Sequence, residues 1–196
     1  MAARYLNVDK LKRFIRSQST DDEGLYAEAC LAAEQFLDNE CQRSFTLAGT
    51  SATSRSYRPD SYGAPTLFIH DCTQITAVVE NGTTLTANVD YVAEPLNGLS
   101  PAGETRPYDR LTRYATQWYS NFNLPTVTVT AKWGWAEYPP GIEFAGLVCA
   151  KAYLEARDIR AGLAQFGDVG VAGEREAKAV RDFIREYRGH SSWGIA

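Results

Sequence analysis

The residues of this sequence best suited to chemistry are His70, Asp71 and Cys72, which follow one another in the segment FIHDC. A histidine beside a cysteine could activate the thiol as a nucleophile. Successive side chains of a strand point to opposite faces, so His70 and Cys72 would share one face and Asp71 would lie on the other. Catalytic partners usually come from separate segments, and the only other histidine is His190. A small hydrolase using Cys72 and His70 is an alternative interpretation, and a structural role is favoured.

Neither the acidic residues nor the cysteines have the spacing of a metal site. The acidic groups at 21–23 and at Glu174 and Glu176 stand where helices are predicted to begin, and acidic residues are stabilised there by the helix dipole. There is no calcium-loop pattern and no HExxH pattern. No cysteine pair has CxxC spacing, which leaves no zinc motif. We expect no metal and no cofactor, and we expect four buried thiols: Cys30, Cys41, Cys72 and Cys149.

Three arginines, Arg181, Arg185 and Arg188, form a basic patch together with His190 near the end of the sequence. Cations also favour helix C-termini, so the patch has a structural explanation. The functional alternatives are a dock for an acidic partner surface and a DNA-binding module. The net charge of −4 argues against a protein whose main task is to bind phosphates. It is compatible with a wall along which DNA slides, because like charges repel.

The bulk composition predicts a globular chain that holds its own core. It has 196 residues, of which 44% are hydrophobic and 22% are charged. It contains no apolar run of about 18 residues, so we expect no membrane span. The first ten residues already carry charges and lack the apolar stretch of a signal peptide, so we expect synthesis in the cytoplasm.

Helical patterns lie at both ends of the sequence. The segment YLNVDKLKRFI predicts a short helix that Asn7 or Asp9 could cap. A long alanine-rich helix follows, with Thr20 and Glu23 at capping-box spacing. Two more helices are predicted from about 141 to 161 and from about 174 to 188. The last one has an apolar stripe formed by Ala177, Val180, Ile184 and Tyr187.

The middle of the sequence is rich in threonine, valine and tyrosine and predicts strands. Asn81 and Gly82 suit a type I′ hairpin turn. TLFIHD is interpreted as a short apolar run, and ITAVVENGTTLTANVDYV is interpreted as a hairpin around this turn. The segment from Trp118 to Phe122 is interpreted as an exposed loop that carries aromatic side chains, although a strand is the alternative.

The segment TVTVTAKWGWAEYPP predicts a junction between the sheet and a helix. Apolar residues occupy every second position, so one face of the strand is apolar. Gly134 allows the backbone to bend, and prolines end the strand, with Pro140 suited to the first turn of the next helix. The tryptophans are predicted to be buried where the sheet meets the helices. The junction residues are Trp133, Gly134, Trp135, Pro139 and Pro140.

These patterns together predict an α+β fold. A helical core, made of an N-terminal helix pair plus two C-terminal helices, carries an inserted antiparallel β-sheet region. The expected boundaries are 1–48 for the helical hairpin, 50–138 for the β-rich insertion and 139–188 for the helices that complete the core. Residues 189–196 form a tail that includes Trp193.

Two motifs carry a resemblance to a known family. They are the ending E..LD..C.R.F of the second helix and the junction VT..WGW...P..I..A. The chain resembles the head–tail connector (adaptor) proteins of tailed double-stranded-DNA bacteriophages. The resemblance implies a virion protein of the neck without enzyme activity or cofactor. It also implies a ring, usually of twelve copies, beneath the portal protein. The ring would extend the DNA channel, through which DNA passes without specific binding, and would join the next neck protein or tail terminator.

The resemblance also implies where the portal is contacted. Family members use their C-terminal segment, which corresponds here to about Arg185–Ala196. The portal-binding residues would then be Arg185, Tyr187, Arg188, His190 and Trp193. The most compact members are nearly all helical, so the segment from about Thr50 to Tyr138 would be an insertion on the outside or lower rim of the ring.

Overall fold

A computed structural model describes residues 4–17, 23–59, 64–100, 103–121, 124–158 and 174–189. Within these ranges the helices are α1 (Val8–Ile15), α2 (Glu23–Cys41), α3 (Ile142–Asp158) and α4 (Glu174–Tyr187). The strands are β1 (Thr53–Tyr57), β2 (Thr66–Glu80), β3 (Thr83–Leu85), β4 (Tyr91–Glu94), β5 (Tyr108–Arg113) and β6 (Val127–Trp133). The predicted α+β fold class is confirmed.

The chain divides into two compact units. A helical unit comprises Met1–Arg43 and Pro139–Gly189, and a β unit comprises Ser44–Tyr138. None of the helices in the described ranges is long and apolar enough to cross a membrane.

The helical unit is built on the apolar stripes of its helices. Asn7, rather than Asp9, caps α1, because its side chain accepts a hydrogen bond of 3.1 Å from the Lys10 nitrogen. Helices α2 and α3 pack through small residues, and Gly146 leaves room for the side chain of Leu6. In α4 Phe183 is buried in addition to the predicted apolar stripe of that helix. Thr20, the predicted capping residue of α2, lies outside the described residues. The small or apolar residues buried along α2 and α3 include Ala29, Cys30, Ala33, Leu37, Ala145, Val148 and Cys149.

A buried carboxylate holds the chain segment that enters α1. Glu34 of α2 is 2% exposed, and its oxygens accept hydrogen bonds of 2.8–2.9 Å from the backbone nitrogens of Arg4, Tyr5 and Leu6. The Arg4 guanidinium pairs with Asp38 one turn further along α2, at 2.8 Å. Hydrogen bonds to a charged acceptor are stronger than neutral ones, so Glu34 compensates its own burial by ordering three peptide groups.

Replacing this carboxylate should destabilise the helical unit. Glu34→Gln keeps the size but turns one acceptor into a donor that faces backbone N–H groups, so we expect a loss of about 2–4 kcal/mol of unfolding free energy. Urea unfolding measures it. Glu28→Gln, at an exposed position of the same helix, should stay within about 0.5 kcal/mol of the wild type. Equal effects of the two changes would show that the Glu34 contacts contribute nothing.

The β unit contains one antiparallel sheet in the order β1-β6-β2-β5-β4, with β3 paired to the end of β2. The predicted hairpin turn is confirmed, since Asn81 and Gly82 have φ values of 46° and 80° between the paired strands β2 and β3. The predicted alternation of β6 is also confirmed, with Val127, Val129 and Ala131 fully buried.

Two interpretations of the middle segment are wrong. TLFIHD is not a short run by itself, because it continues through ITAVVE as the single 15-residue strand β2, whose pairing register shifts between Phe68 and Cys72 and again further along. Trp118 is not an exposed loop residue. It is 1% exposed, its Nε1 donates to the Leu111 carbonyl at 3.3 Å, and the Arg113 guanidinium lies over its ring. Tyr119 is 44% exposed, and Phe122 lies outside the described residues.

Candidate functional site

The pair His70 and Cys72 lacks the geometry of a nucleophile and its base. Cys72 is fully buried, and its Sγ donates to the Tyr108 carbonyl at 3.7 Å. Burial raises the pKa of the Cys72 thiol to about 12, so the neutral thiol predominates at physiological pH. Asp71 and Cys72 are both buried, because the register shift breaks the alternation that would have placed His70 and Cys72 on one face.

His70 belongs to an aromatic cluster on the sheet. Its Nδ1 lies 2.8 Å from the Tyr57 hydroxyl oxygen, and its backbone N–H donates to the same oxygen at 3.2 Å. The Trp133 ring contacts both side chains. Burial, together with the charge of Arg55, lowers the pKa of His70 to about 4. The imidazole is therefore neutral near pH 7 and is bonded to a tyrosine.

All four cysteines are buried and free. Burial is the main cause of the change in the pKa of each thiol. It raises the pKa values of Cys41, Cys72 and Cys149 to about 12 and that of Cys30 to about 11. Across the described ranges no three His, Cys, Asp or Glu side chains gather in a possible metal site. The described thiols are thus arranged as apolar core residues.

These shifts predict slow thiol chemistry and a loss of stability in alkali. With Ellman's reagent at pH 8, we expect the folded chain to react about 100-fold more slowly than the chain in guanidinium, where all four thiols should react. Because the folded thiols hold their protons more tightly, the unfolded chain releases protons first above pH 9, and stability should fall from there towards pH 12. Rapid labelling of Cys72 in the folded protein at pH 7 would contradict this and would revive the hydrolase alternative.

Two of the residues predicted as a sheet–helix junction, Gly134 and Trp135, form part of a clasp within the β unit. We use this name for the contact between Thr46–Ala48, which lead into the sheet, and Gly134–Trp135, which follow β6. The Trp135 nitrogen donates to the Thr46 carbonyl and the Ala48 nitrogen donates to the Trp135 carbonyl, each at 2.8 Å. The Gly134 nitrogen donates to the Asp71 carbonyl at 2.7 Å. The clasp therefore joins the first and last segments of the β unit.

Side chains secure the clasp from inside. Trp135 is 1% exposed, and its Nε1 donates to the buried Asp71 carboxylate at 3.0 Å. The Phe45 ring packs against Trp135 with centroids 5.4 Å apart. Trp133 is only partly buried; its Nε1 donates to the Thr53 carbonyl at 2.8 Å, and the Arg55 guanidinium lies over its ring.

The prolines sit differently from the expectation. Pro139 is buried, and its carbonyl accepts a hydrogen bond of 3.3 Å from the Ile142 nitrogen. Pro140 is exposed and does not lie in the first turn of α3, which begins at Ile142. The reason is Gly141, whose φ of 82° lies outside the helical region and delays the start of the helix.

Gly134 is the position at which the clasp should fail first. It has a φ of 116°, and a Cβ there would lie 2.9 Å from the Ala48 nitrogen and nearer still to the Thr46 carbonyl oxygen. We expect Gly134→Ala to cost about 3 kcal/mol or more, because backbone atoms would have to move. Gly82→Ala is the matched control, since Gly82 also has a positive φ but has open space around it. That change should cost about 1 kcal/mol, the price of backbone strain alone. Chemical unfolding measures both, and equal costs would rule out the close approach.

The predicted portal-binding residues differ in their exposure to solvent. Arg185 is exposed on α4, and Arg188 is exposed just beyond the helix. Tyr187 is 2% exposed and stacks on Phe183 with ring centroids 4.6 Å apart, so it serves the core of the helical unit. His190 and Trp193 lie outside the described residues. After α4 the Gly189 nitrogen donates to the Cys41 carbonyl at 2.6 Å, which anchors the end of this segment to α2.

Comparisons with known proteins find similarity in structure but not in sequence. No family model and no curated protein matches the sequence. The solved structures that do match include the neck of a native GTA particle computed with C12 symmetry and the neck of an empty GTA particle computed with C6 symmetry. GTA denotes a phage-like gene transfer agent. The TM-scores are 0.54 and 0.53, at 13% and 14% identity, over 97% of this chain and 92% of each neck chain. The shared property is the fold.

Sequence reasoning missed three parts of these sites. Glu34 has the same type and spacing as other helix acids, so nothing distinguishes it as a buried anchor. The sequence suggests for Asp71 only a role beside His70 and Cys72, whereas its carboxylate accepts a hydrogen bond from the Trp135 indole. Thr46–Ala48 carry no local signal, because their contacts lie almost ninety residues further along the chain.

Proposed function

We propose that this chain is a structural subunit of a phage-type neck, in which copies form a ring that extends the DNA channel and joins the capsid to the tail. The observation that supports it is the fold similarity to neck chains across nearly the whole of both chains. Those chains come from assemblies with twelvefold and sixfold symmetry, which agrees with a ring of about twelve copies.

The same proposal makes the protein a part of the virion, without enzyme activity or cofactor. The buried neutral thiol of Cys72 and the tyrosine-bonded His70 give the hydrolase alternative no support. The proposed partners are other copies of the chain, the portal protein and the next neck protein or tail terminator, with DNA passing through the lumen without specific binding. The β-rich region from about 50 to 138 would lie on the outside or lower rim of the ring.

The portal contact is proposed for the C-terminal segment from about Arg185 onward. Arg185 and Arg188 are exposed there. His190 and Trp193 complete the proposed contact, while Tyr187 would act indirectly by fixing α4 in the helical unit.

Light scattering with and without portal particles tests this function. Twelve copies of the 21.7 kDa chain would add a mass of about 260 kDa to each portal ring. Deleting His190–Ala196 should weaken portal binding at least about tenfold while leaving the unfolding curve unchanged, because the bond from the Gly189 nitrogen to Cys41 is retained. A truncated chain that decorates portals as well as the full chain would remove the tail from the contact. A full chain that never associates with portals would overturn the function itself.

A further inference from the structure

Helix α4 presents its cations along one side. Lys178, Arg181 and Arg185 are exposed and follow one another at steps of three and four residues, which keeps them within roughly 60° of arc. Arg188, also exposed, comes directly after the helix. We call these four residues the cationic stripe.

The side chains of the stripe form no ion pair within the described part of the chain. No ion pair joins any of the four to a carboxylate there, although such pairs form elsewhere in the helical unit, such as Lys10 with Glu143. The acidic residue Glu176 of α4 pairs with Lys151 of α3 at 3.3 Å rather than with the stripe. Four clustered positive charges are thus available to an outside partner.

The stripe is held on a fixed support. The opposite side of α4 is buried through Val180, Phe183 and Tyr187, and the latter two rings stack. The Gly189 nitrogen anchors the end of the segment to the Cys41 carbonyl at 2.6 Å. An anchored helix positions its side chains before binding, so less conformational entropy is lost when a partner docks.

Local charge favours a protein partner over DNA. The segment 174–188 contains five cations and four carboxylates, a net charge of +1. Asp182 and Glu186 are both exposed beside the stripe, where they would repel a phosphate backbone. A protein surface can set carboxylates opposite the stripe and a cation opposite the two acids, and arginine binds carboxylates with two parallel hydrogen bonds.

We propose that the cationic stripe docks on a carboxylate-bearing face of the portal ring, an inference that rests on the proposed function. The portal contact then begins two helical turns before Arg185 and includes Lys178 and Arg181. In this arrangement the stripe sets the register of docking, with Asp182 and Glu186 excluding misaligned positions by repulsion.

Charge reversal outside the tail tests this proposal. We expect Arg181→Glu to weaken co-sedimentation with portal particles about tenfold near 0.15 M NaCl, and Lys178→Glu combined with Arg181→Glu to weaken it about a hundredfold. Arg13→Glu changes the charge equally at another exposed helical position and should stay within about twofold. Wild-type binding should fall as salt is raised, and the double variant should show a shallower dependence.

Each other result rejects the proposal in a recognisable way. If the full chain loads portals and Arg181→Glu loads them equally well, the stripe is not the contact while the proposed function stands. If a 20-base-pair duplex binds the wild type and Arg181→Glu loses that binding, the partner is DNA. If the wild type never binds portals, the proposed function fails and the docking inference fails with it. Unchanged circular dichroism of each variant shows that the comparison is between folded chains.

Discussion

The β unit depends on one close approach of backbone to backbone. Gly134 and Trp135 run against Thr46–Ala48 with no space for a side chain at position 134. The contact joins the segment that enters the unit to the segment that leaves it. Since the chain between them spans the whole sheet, the pairing of these few residues closes a loop of about ninety residues, and closing so long a loop carries an entropic cost. The buried indole of Trp135, bonded to Asp71 and packed on Phe45, offsets that cost.

The helical unit solves a similar problem with charge. Its first described residues have no strand partner, and their backbone N–H groups would be left unsatisfied on burial. Glu34 accepts three of them, and Asp38 holds the Arg4 side chain beside it. Both units thus use a buried carboxylate, Glu34 or Asp71, to fix a segment that regular secondary structure does not fix. Segments held in this way lose little further entropy when a partner binds.

Local pattern predicted the elements whose causes are local. The cap at Asn7, the turn at Asn81 and Gly82 and the alternation along β6 depend on residues only a few positions apart. Prediction failed where distant residues decide the outcome. Trp118 is buried because it hydrogen-bonds the Leu111 carbonyl and lies beneath the Arg113 guanidinium. Strand β2 continues through FIHDC because it pairs with both β5 and β6, with a shift of register in each pairing. No propensity of the segments themselves encodes either result.

In the candidate site, too, the sequence predicts the features with local causes and misses those that depend on distant residues. The exposure of Arg181 and Arg185 followed from helical spacing, since a helix with one apolar stripe must turn its other residues outward. Tyr187 and Phe183 are buried on the other side of the helix, and their packing fixes the direction in which the exposed cations face. A net charge of −4 describes the chain as a whole, yet recognition is decided by the local arrangement of signs. An acidic chain that carries one anchored cationic face can repel a passing polyanion over most of its surface and still dock on an acidic protein at one place. These two properties are compatible because salt screens each charge over a distance of about 8 Å at physiological ionic strength.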